Sequence, residues 1–212
     1  MPTLRPCTTS DTDTRAFAEC VETAADGLFA VFFGSGWPGV LQRAAAIPQH
    51  TLSYETATFV EVDGQIAGMI SAYSGAWKQQ VNASQNSALV RAAGWRIVRA
   101  AFYATLLSRL MTFFGDIPTD MYYVQTVAIY PQFRGQNLSQ HLLEHAEQSG
   151  QAAGCAQIGL HVLTTNTPAI GAYRKFGMDV IKTSDDVHLG GRDYSLHLMA
   201  KPLPRAGETN GD

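Results

Sequence analysis

Residues 122–131 are a β-branched and aromatic run whose side chains are apolar on both alternating faces of the predicted strand. This pattern is typical of a strand that is covered on both sides, in the middle of a sheet. Pro131 ends the strand because proline has no N–H for the ladder. A helix is predicted to follow at once, with one apolar face and Gly154 as its left-handed cap. That face comprises Leu138, Leu142, Ala146, Gly150 and Ala153.

Other patterns surround this strand and helix. We predict an edge strand over residues 4–8, a helix from Ser10 to about residue 30, and a hairpin whose Asp63-Gly64 turn joins strands 58–62 and 65–73. Further elements are a strand alternating at Ile158, Leu160 and Val162, a short helix from Thr167 to Gly177, and a final antiparallel pair over 178–183 and 194–199. Together these elements predict a mixed α/β protein.

The segment between the third and fourth predicted strands, residues 75–120, is unusually long and helical. It contains a helix of about two dozen residues, which by its apolar stripe should face the core or a dimer partner. The stripe comprises Val98, Phe102, Leu106 and Leu110, with Leu107, Met111 and Phe114 beside it.

Composition narrows the class of protein. The chain has 212 residues, 46% of them hydrophobic, which suits one domain over 1–203 with a mobile tail at 204–212. A net charge of −3 without a basic block argues against a nucleic-acid partner. Cys7, Cys20 and Cys155 lack metal-ligand spacing and indicate free thiols, hence a cytoplasmic location.

Two patterns that would indicate a secreted or a membrane protein are not found in the sequence. The start of the chain has no secretory signal pattern. The most apolar window, residues 88–114, is interrupted by four arginines, so no membrane-spanning segment and no membrane partner are expected.

A Gly-x-Gly-x-x-Gly match occurs at residues 34–39, with Glu61 near the place of a ribose-binding acid. A dinucleotide site would need a strand before the glycines, whereas the preceding residues have helical spacing. We therefore expect a glycine-rich loop between the first two helices, and a dinucleotide-dependent oxidoreductase is the less favoured alternative.

The turn after Pro131 is a candidate binding site. A strand, a turn with Arg134 and Gly135, and an immediate helix direct free N–H groups and a positive helix end toward one point. That arrangement binds phosphate.

These residues resemble the GNAT superfamily of acyl-CoA-dependent N-acetyltransferases, whose signature is Arg/Gln-x-x-Gly-x-Gly/Ala after such a strand. Arg134 matches, while Asn137 and Ser139 stand at the two small positions. A second signature follows in register, with Asn166 and Tyr173 seven residues later. Ala169 and Gly177 also match, with Met178 in place of Phe, and the resemblance covers about residues 55–200.

The resemblance implies a GNAT-like three-layer α/β (α+β) fold. Its sheet would have six to seven mostly antiparallel strands, splayed between those ending at Pro131 and Leu163, with helices on both faces. It also implies acetyl-CoA as donor and a primary amine of a small molecule or peptide as acceptor, with a homodimer as a possible assembly.

The same resemblance supplies cofactor-binding positions. Backbone groups of Val127, Ala128 and Ile129 would bind the pantetheine arm, and Asn166 would contact the cofactor. The pyrophosphate would lie at the turn formed by Arg134, Gly135, Gln136, Asn137, Leu138, Ser139 and Gln140.

Two residues are candidates for catalysis. Tyr173 matches the family's proton donor to the leaving thiolate, the alternative being that it only packs on the cofactor. Gln125 stands where many relatives carry a basic Glu, so His161, on the opposite side of its strand from Leu160 and Val162, is the candidate general base or a structural histidine. A non-catalytic acyl-CoA-binding module is the other alternative.

Overall fold

A seven-stranded sheet forms the centre of the protein. This computed structural model describes residues 2–106, 108–189 and 192–204, with 82–86, 109–111, 189 and 192 described by backbone only. The strand order is β1-β2-β3-β4-β5-β9-β6, and every pairing is antiparallel except that of β4 with β5. The strands are β1 (Thr3–Pro6), β2 (Ala57–Val62), β3 (Gln65–Ser74), β4 (Met121–Ile129), β5 (Gln157–Leu163), β6 (Asp179–Thr183), β7 (Val187–Leu189), β8 (Arg192–Tyr194) and β9 (Leu196–Pro202).

This topology confirms the predicted sheet, including the central place of β4. The tight turn between β2 and β3 also forms as predicted, because Asp63 and Gly64 both have positive φ, the geometry of a type I′ hairpin. The small hairpin of β7 and β8 was not predicted. The proposed tail lies almost wholly outside the described residues, which end at residue 204.

Helices cover both faces of the sheet. The chain forms α1 (Asp11–Ala24), α2 (Leu28–Phe33), α3 (Trp37–Ala45), α4 (Gly75–Ala93), α5 (Ile97–Leu106), α6 (Ser108–Gly115), α7 (Leu138–Ala152) and α8 (Thr167–Lys175). Apolar residues of α7 and α8 share one core with β4 and β5, whereas α1 and α3 pack on the other face. Among the described helices, none is long and apolar enough to cross a membrane.

The first helix is shorter than predicted. It ends at Ala24 because Asp26 and Gly27 adopt left-handed backbone, and a separate α2 follows. The glycine-rich stretch is also mostly helical rather than a loop, since α3 begins at Trp37 and includes Gly39. A helix precedes these glycines, so the strand that a dinucleotide fingerprint requires is absent from this described part of the chain.

The segment of residues 75–120 is helical over 75–93, 97–106 and 108–115, with residue 107 outside the described residues. Gly94, with φ of 56°, separates α4 from α5. Of the two predicted places for the stripe, the core is wrong for Val98, Phe102 and Leu106, which are all exposed, and a dimer face stays a prediction. Their helix packs instead through the opposite face, on which Ala100 is buried.

Candidate active site

Strands β4 and β5 run together for only four residue pairs and then separate. Their parallel register ends at Val124 and Leu160, although β4 continues to Ile129 and β5 to Leu163. The predicted splay is therefore present. Beyond Val124 the described chain offers β4 no strand partner on this side, which leaves a gap between the two strands.

A β-bulge in β4 marks the beginning of the gap. Ser71 pairs with Thr126 and Ala72 with Val124, so Gln125 is the extra residue. A single extra residue reverses the alternation of the strand. Accordingly, Val124 and Val127 both contribute to the core beneath α7, although they are three positions apart.

The reversal decides which backbone groups face the gap. Tyr130 donates its N–H to the Ala67 carbonyl in β3, at 2.9 Å. Because successive residues of a strand direct their backbone groups to opposite edges, Ala128 also faces β3. Of the three residues predicted to bind the pantetheine arm, Val127 and Ile129 therefore present backbone groups to the gap, and Ala128 does not.

The turn after β4 has the backbone geometry that its sequence suggests. Gly135 has φ of 81° and Asn137 has φ of 61°, so both adopt left-handed backbone. Asn is one of the few residues besides Gly that tolerate this conformation, which explains why it can replace the family's glycine. Gly135 has no neighbour within 4 Å of where a Cβ would lie, so its face of the turn is open.

The amino end of α7 is available to an anion. Asn137 precedes the helix, but its side chain makes no capping hydrogen bond to it. Its amide instead donates to Gln140 Oε1 at 3.0 Å, and Gln140 donates to Glu144. The Gln140 N–H already donates to the Asn137 carbonyl at 3.1 Å, so the N–H groups of Leu138 and Ser139 and the positive dipole end of this 15-residue helix are available to a phosphate. Arg134, Gly135 and Gln136 are exposed beside it, Leu138 is buried, and Ser139 is half-buried.

The second signature places Asn166 and Tyr173 on α8. Asn166 accepts a hydrogen bond from the Ala169 N–H at 3.3 Å and so acts as the helix cap, while remaining exposed. Tyr173 packs partly buried against the core shared by α7 and β5. Its burial raises the pKa of the phenol to about 12. The hydroxyl has no partner among the described residues, so it is free to donate to a ligand.

His161 lies on the other face of the sheet, in an aromatic setting. Its Nδ1 is 2.9 Å from the hydroxyl of Tyr123, and its ring contacts those of Phe113 and Phe114, with centroids 5.0 Å away in both cases. Burial, reinforced by the nearby charge of Lys78, lowers its pKa to about 4. The imidazole is therefore neutral at pH 7 and a weak base.

Two buried polar atoms in the described chain have no hydrogen-bond partner, and both belong to this region. They are Oε1 of Gln125, at the bulge, and Nε2 of His161. Buried polar atoms are nearly always paired, so unpaired ones at a strand separation are typical of a functional site. An open cleft of about 690 Å³ between α6 and the β6–β7 connection borders Phe113, one of the rings on His161.

Some of this arrangement could not have been found in the sequence. Tyr123 contacts His161 across two strands, and Asp116 and Lys182, which form an ion pair at 3.1 Å, come from segments 66 residues apart. In the sequence, Tyr123 lies within the apolar run of β4. This pattern indicated that Tyr123 is buried, but not that it makes a polar contact. The bulge at Gln125 left no sequence signal.

Comparison with known proteins agrees with this geometry. The acetyltransferase (GNAT) family model matches residues 27–178. A putative ribosomal protein alanine N-acetyltransferase of Bacillus subtilis (strain 168) is 36% identical over 55 residues, which are 26% of this chain and 36% of that protein. Streptothricin acetyltransferase of Streptomyces lavendulae is 25% identical over 81 residues, 38% of this chain and 43% of that protein. The chain thus aligns with less than half the length of either curated relative.

Structural similarity extends further along the chain. The crystal structure of an N-acetyltransferase from Staphylococcus aureus Mu50 superposes with a TM-score of 0.67 at 16% identity, covering 94% of this chain and 100% of that one. At this identity the match shows the fold. The family model, by contrast, spans well over half of the sequence, and the chain therefore belongs to the acetyltransferase (GNAT) family.

Proposed function

We propose that the protein transfers the acetyl group of acetyl-CoA to a primary amine of a small molecule or peptide, by direct attack of the amine on the thioester. The observation that carries this proposal is the gap between β4 and β5, which leads to the uncapped amino end of α7. An extended arm can lie in such a gap as a strand would, with its phosphates at the helix end.

In this arrangement Val127 and Ile129 bind the pantetheine arm through their backbone groups. Arg134 already bonds the Ile129 carbonyl weakly, with 3.4 Å between Nε and the oxygen, so it lies at the junction of arm and pyrophosphate. The N–H groups from Gly135 to Ser139 hold the pyrophosphate, since that of Gln140 already bonds the Asn137 carbonyl. Asn166 contacts the cofactor in addition to capping α8.

Tyr173 donates a hydrogen bond to the sulfur of the leaving thiolate. Its phenol, with a pKa of about 12, is fully protonated at neutral pH. Complete transfer of the proton to a thiolate, whose conjugate acid has a pKa of ~8.5 for a cysteine-like thiol, is uphill in the free protein. Stabilisation of the developing negative charge by the hydrogen bond is therefore its main contribution.

His161 accepts a proton from the attacking amine in this scheme, through its unpaired Nε2 or through water, with its Nδ1–H donating to the Tyr123 hydroxyl. Its pKa of about 4 makes it a poor acceptor from an ammonium group. The acceptor must therefore arrive as a free amine or lose its proton only after attack, when its pKa has fallen. The acceptor approaches from the face that holds His161 and the 690 Å³ cleft.

The proposal is tested by measuring thiol release from acetyl-CoA with a panel of primary amines. Tyr173→Phe keeps the ring and removes the hydroxyl, so the rate should fall about 10²-fold while acetyl-CoA affinity changes little. Tyr54→Phe, a partly buried tyrosine of the α1 core, is the matched control and should retain the rate.

The outcomes separate catalysis from binding alone. Acetyl-CoA binding without thiol release for any amine would favour the non-catalytic acyl-CoA-binding module. Loss of affinity in step with rate in Tyr173→Phe would make Tyr173 part of the cofactor wall. Three expectations stay predictions: a cytoplasmic location, a homodimer and the absence of a nucleic-acid partner. Cell fractionation checks the first, and sedimentation of the purified protein checks the other two.

A further inference from the structure

The surface of α5 carries a row of large apolar side chains that project into solvent. Trp95, Val98 and Phe102 are 78%, 72% and 61% exposed, and Leu106 is 49% exposed. Their spacing of three and four residues places them along one side of the helix. We call these four side chains the α5 ridge. Soluble proteins seldom leave such a contiguous row without a partner.

The segment that carries the ridge has only positive charges. From residue 64 to residue 115 the sequence contains no Asp or Glu, although the whole chain has 18 of them and a net charge of −3. The same stretch carries five cations: Lys78, Arg91, Arg96, Arg99 and Arg109. Residues 75–115 thus form a cationic unit in a chain whose net charge is negative.

Two of these arginines flank the ridge in defined positions. The Arg96 guanidinium lies over the Trp95 ring, 4.8 Å from its centroid. Arg99 stacks on Tyr103 at 5.1 Å and donates to the Val31 carbonyl at 3.0 Å. Arginine stems held on aromatic rings beside exposed apolar side chains form an amphipathic surface with a cationic border.

We propose that the α5 ridge docks this protein on the surface of an anionic membrane. Apolar side chains that project from a helix with a cationic border insert at the level of the lipid headgroups, and the arginines pair with lipid phosphates. A second copy fits less well, because a symmetric contact through this surface would oppose arginines to arginines with no carboxylate in the segment to pair them. The proposal revises the expectation of no membrane partner, which considered only a spanning segment.

The test is co-sedimentation of the full chain with vesicles of phosphatidylglycerol and phosphatidylcholine, compared with vesicles of phosphatidylcholine alone. Binding should require the anionic lipid and weaken as salt is raised. Trp95→Ser with Phe102→Ser should lower the partition coefficient by about tenfold or more, through lost apolar burial. Arg91→Gln, which removes an exposed cation of the same segment, should lower it about fivefold.

Ile181→Ser is the matched control, since Ile181 is 55% exposed on β6, outside the cationic unit. It should bind vesicles as the wild type does, and unchanged melting curves will verify that all variants fold. Equal binding to both vesicle types, no binding to either, or binding that survives the ridge substitutions would overturn the proposal. So would self-association in sedimentation velocity that the ridge substitutions abolish, because the occupant would then be a second copy.

Discussion

The pKa of His161 makes a stability prediction that can be worked out from the structure. The unfolded histidine has a pKa of ~6.5, whereas burial lowers the folded value to about 4. Between these values the unfolded state binds more protons than the folded state. The free energy of unfolding therefore falls as pH falls through this window, and the contribution of His161 is complete only above pH 6.5 or so.

The magnitude follows from the two pKa values. Between pH 7 and about pH 4.5 the protonation of His161 should remove roughly 2–3 kcal/mol of stability. His161→Asn cannot take up this proton, yet Asn can keep a hydrogen bond with the Tyr123 hydroxyl at the position of Nδ1. The variant should be less stable than the wild type at pH 7 because it loses the ring contacts with Phe113 and Phe114, and the difference should shrink by roughly 2–3 kcal/mol at the lower pH.

Urea unfolding followed by circular dichroism at several pH values measures this difference. Other buried groups, such as His50 and His145, also have pKa values lowered by burial, so the total slope is not diagnostic. The difference between wild type and variant isolates His161. His141→Asn, at a half-exposed histidine on α7, is the control for the substitution itself. Parallel curves for His161→Asn and the wild type would refute the reasoning.

Three further substitutions test other parts of the structure. Gly135→Val introduces a β-branched residue at φ of 81° and should abolish most of the rise in melting temperature caused by acetyl-CoA. Asp13→Asn weakens the bidentate contact with Arg5, at 2.8 and 2.9 Å, and should lower the free energy of unfolding by about 2–3 kcal/mol at pH 7. Gly68→Ala would place a Cβ against the Ala128 carbonyl, and should lower both the melting temperature and acetyl-CoA affinity by displacing β4.

A specific result would contradict each of these three predictions. Gly154→Val is the control for the turn, because Gly154 has φ of 71° and open surroundings after the other end of α7. It should leave the acetyl-CoA shift intact, and an equal loss in both variants would remove the pyrophosphate assignment. An unchanged urea midpoint in Asp13→Asn, or unchanged acetyl-CoA affinity in Gly68→Ala, would contradict the respective argument.

Local signals predicted the elements that frame the site. The Asp63-Gly64 turn, the end of β4 before Pro131 and the left-handed backbone at Gly154 all depend on backbone preferences of single residues, so the sequence is sufficient to place them. Family resemblance added the number of strands, their mostly antiparallel pairing and the separation of β4 from β5, which no local preference specifies.

Nonlocal features were missed or misjudged. Periodicity identified the apolar side of α5 correctly but could not show that Val98 and Phe102 face solvent, because an apolar stripe looks the same whether or not a partner covers it. The lowered pKa of His161 likewise depends on Phe113 and Phe114, which arrive from α6 about fifty positions earlier in the chain. The break after Ala24 was overlooked because apolar spacing continued across Gly27.

The gap beside β4 also has a consequence for how the backbone exchanges its amide hydrogens. The Ala128 amide faces β3 and should be protected, whereas those of Val127 and Ile129 face the opening and should exchange with deuterium as fast as solvent reaches them. Protection along this half of the strand would then alternate from one residue to the next. An acyl donor that occupies the gap would pair with the free edge of β4 and protect the amides of Val127 and Ile129 as well. Hydrogen exchange in this short segment therefore reports whether the gap is occupied, without any label on the ligand.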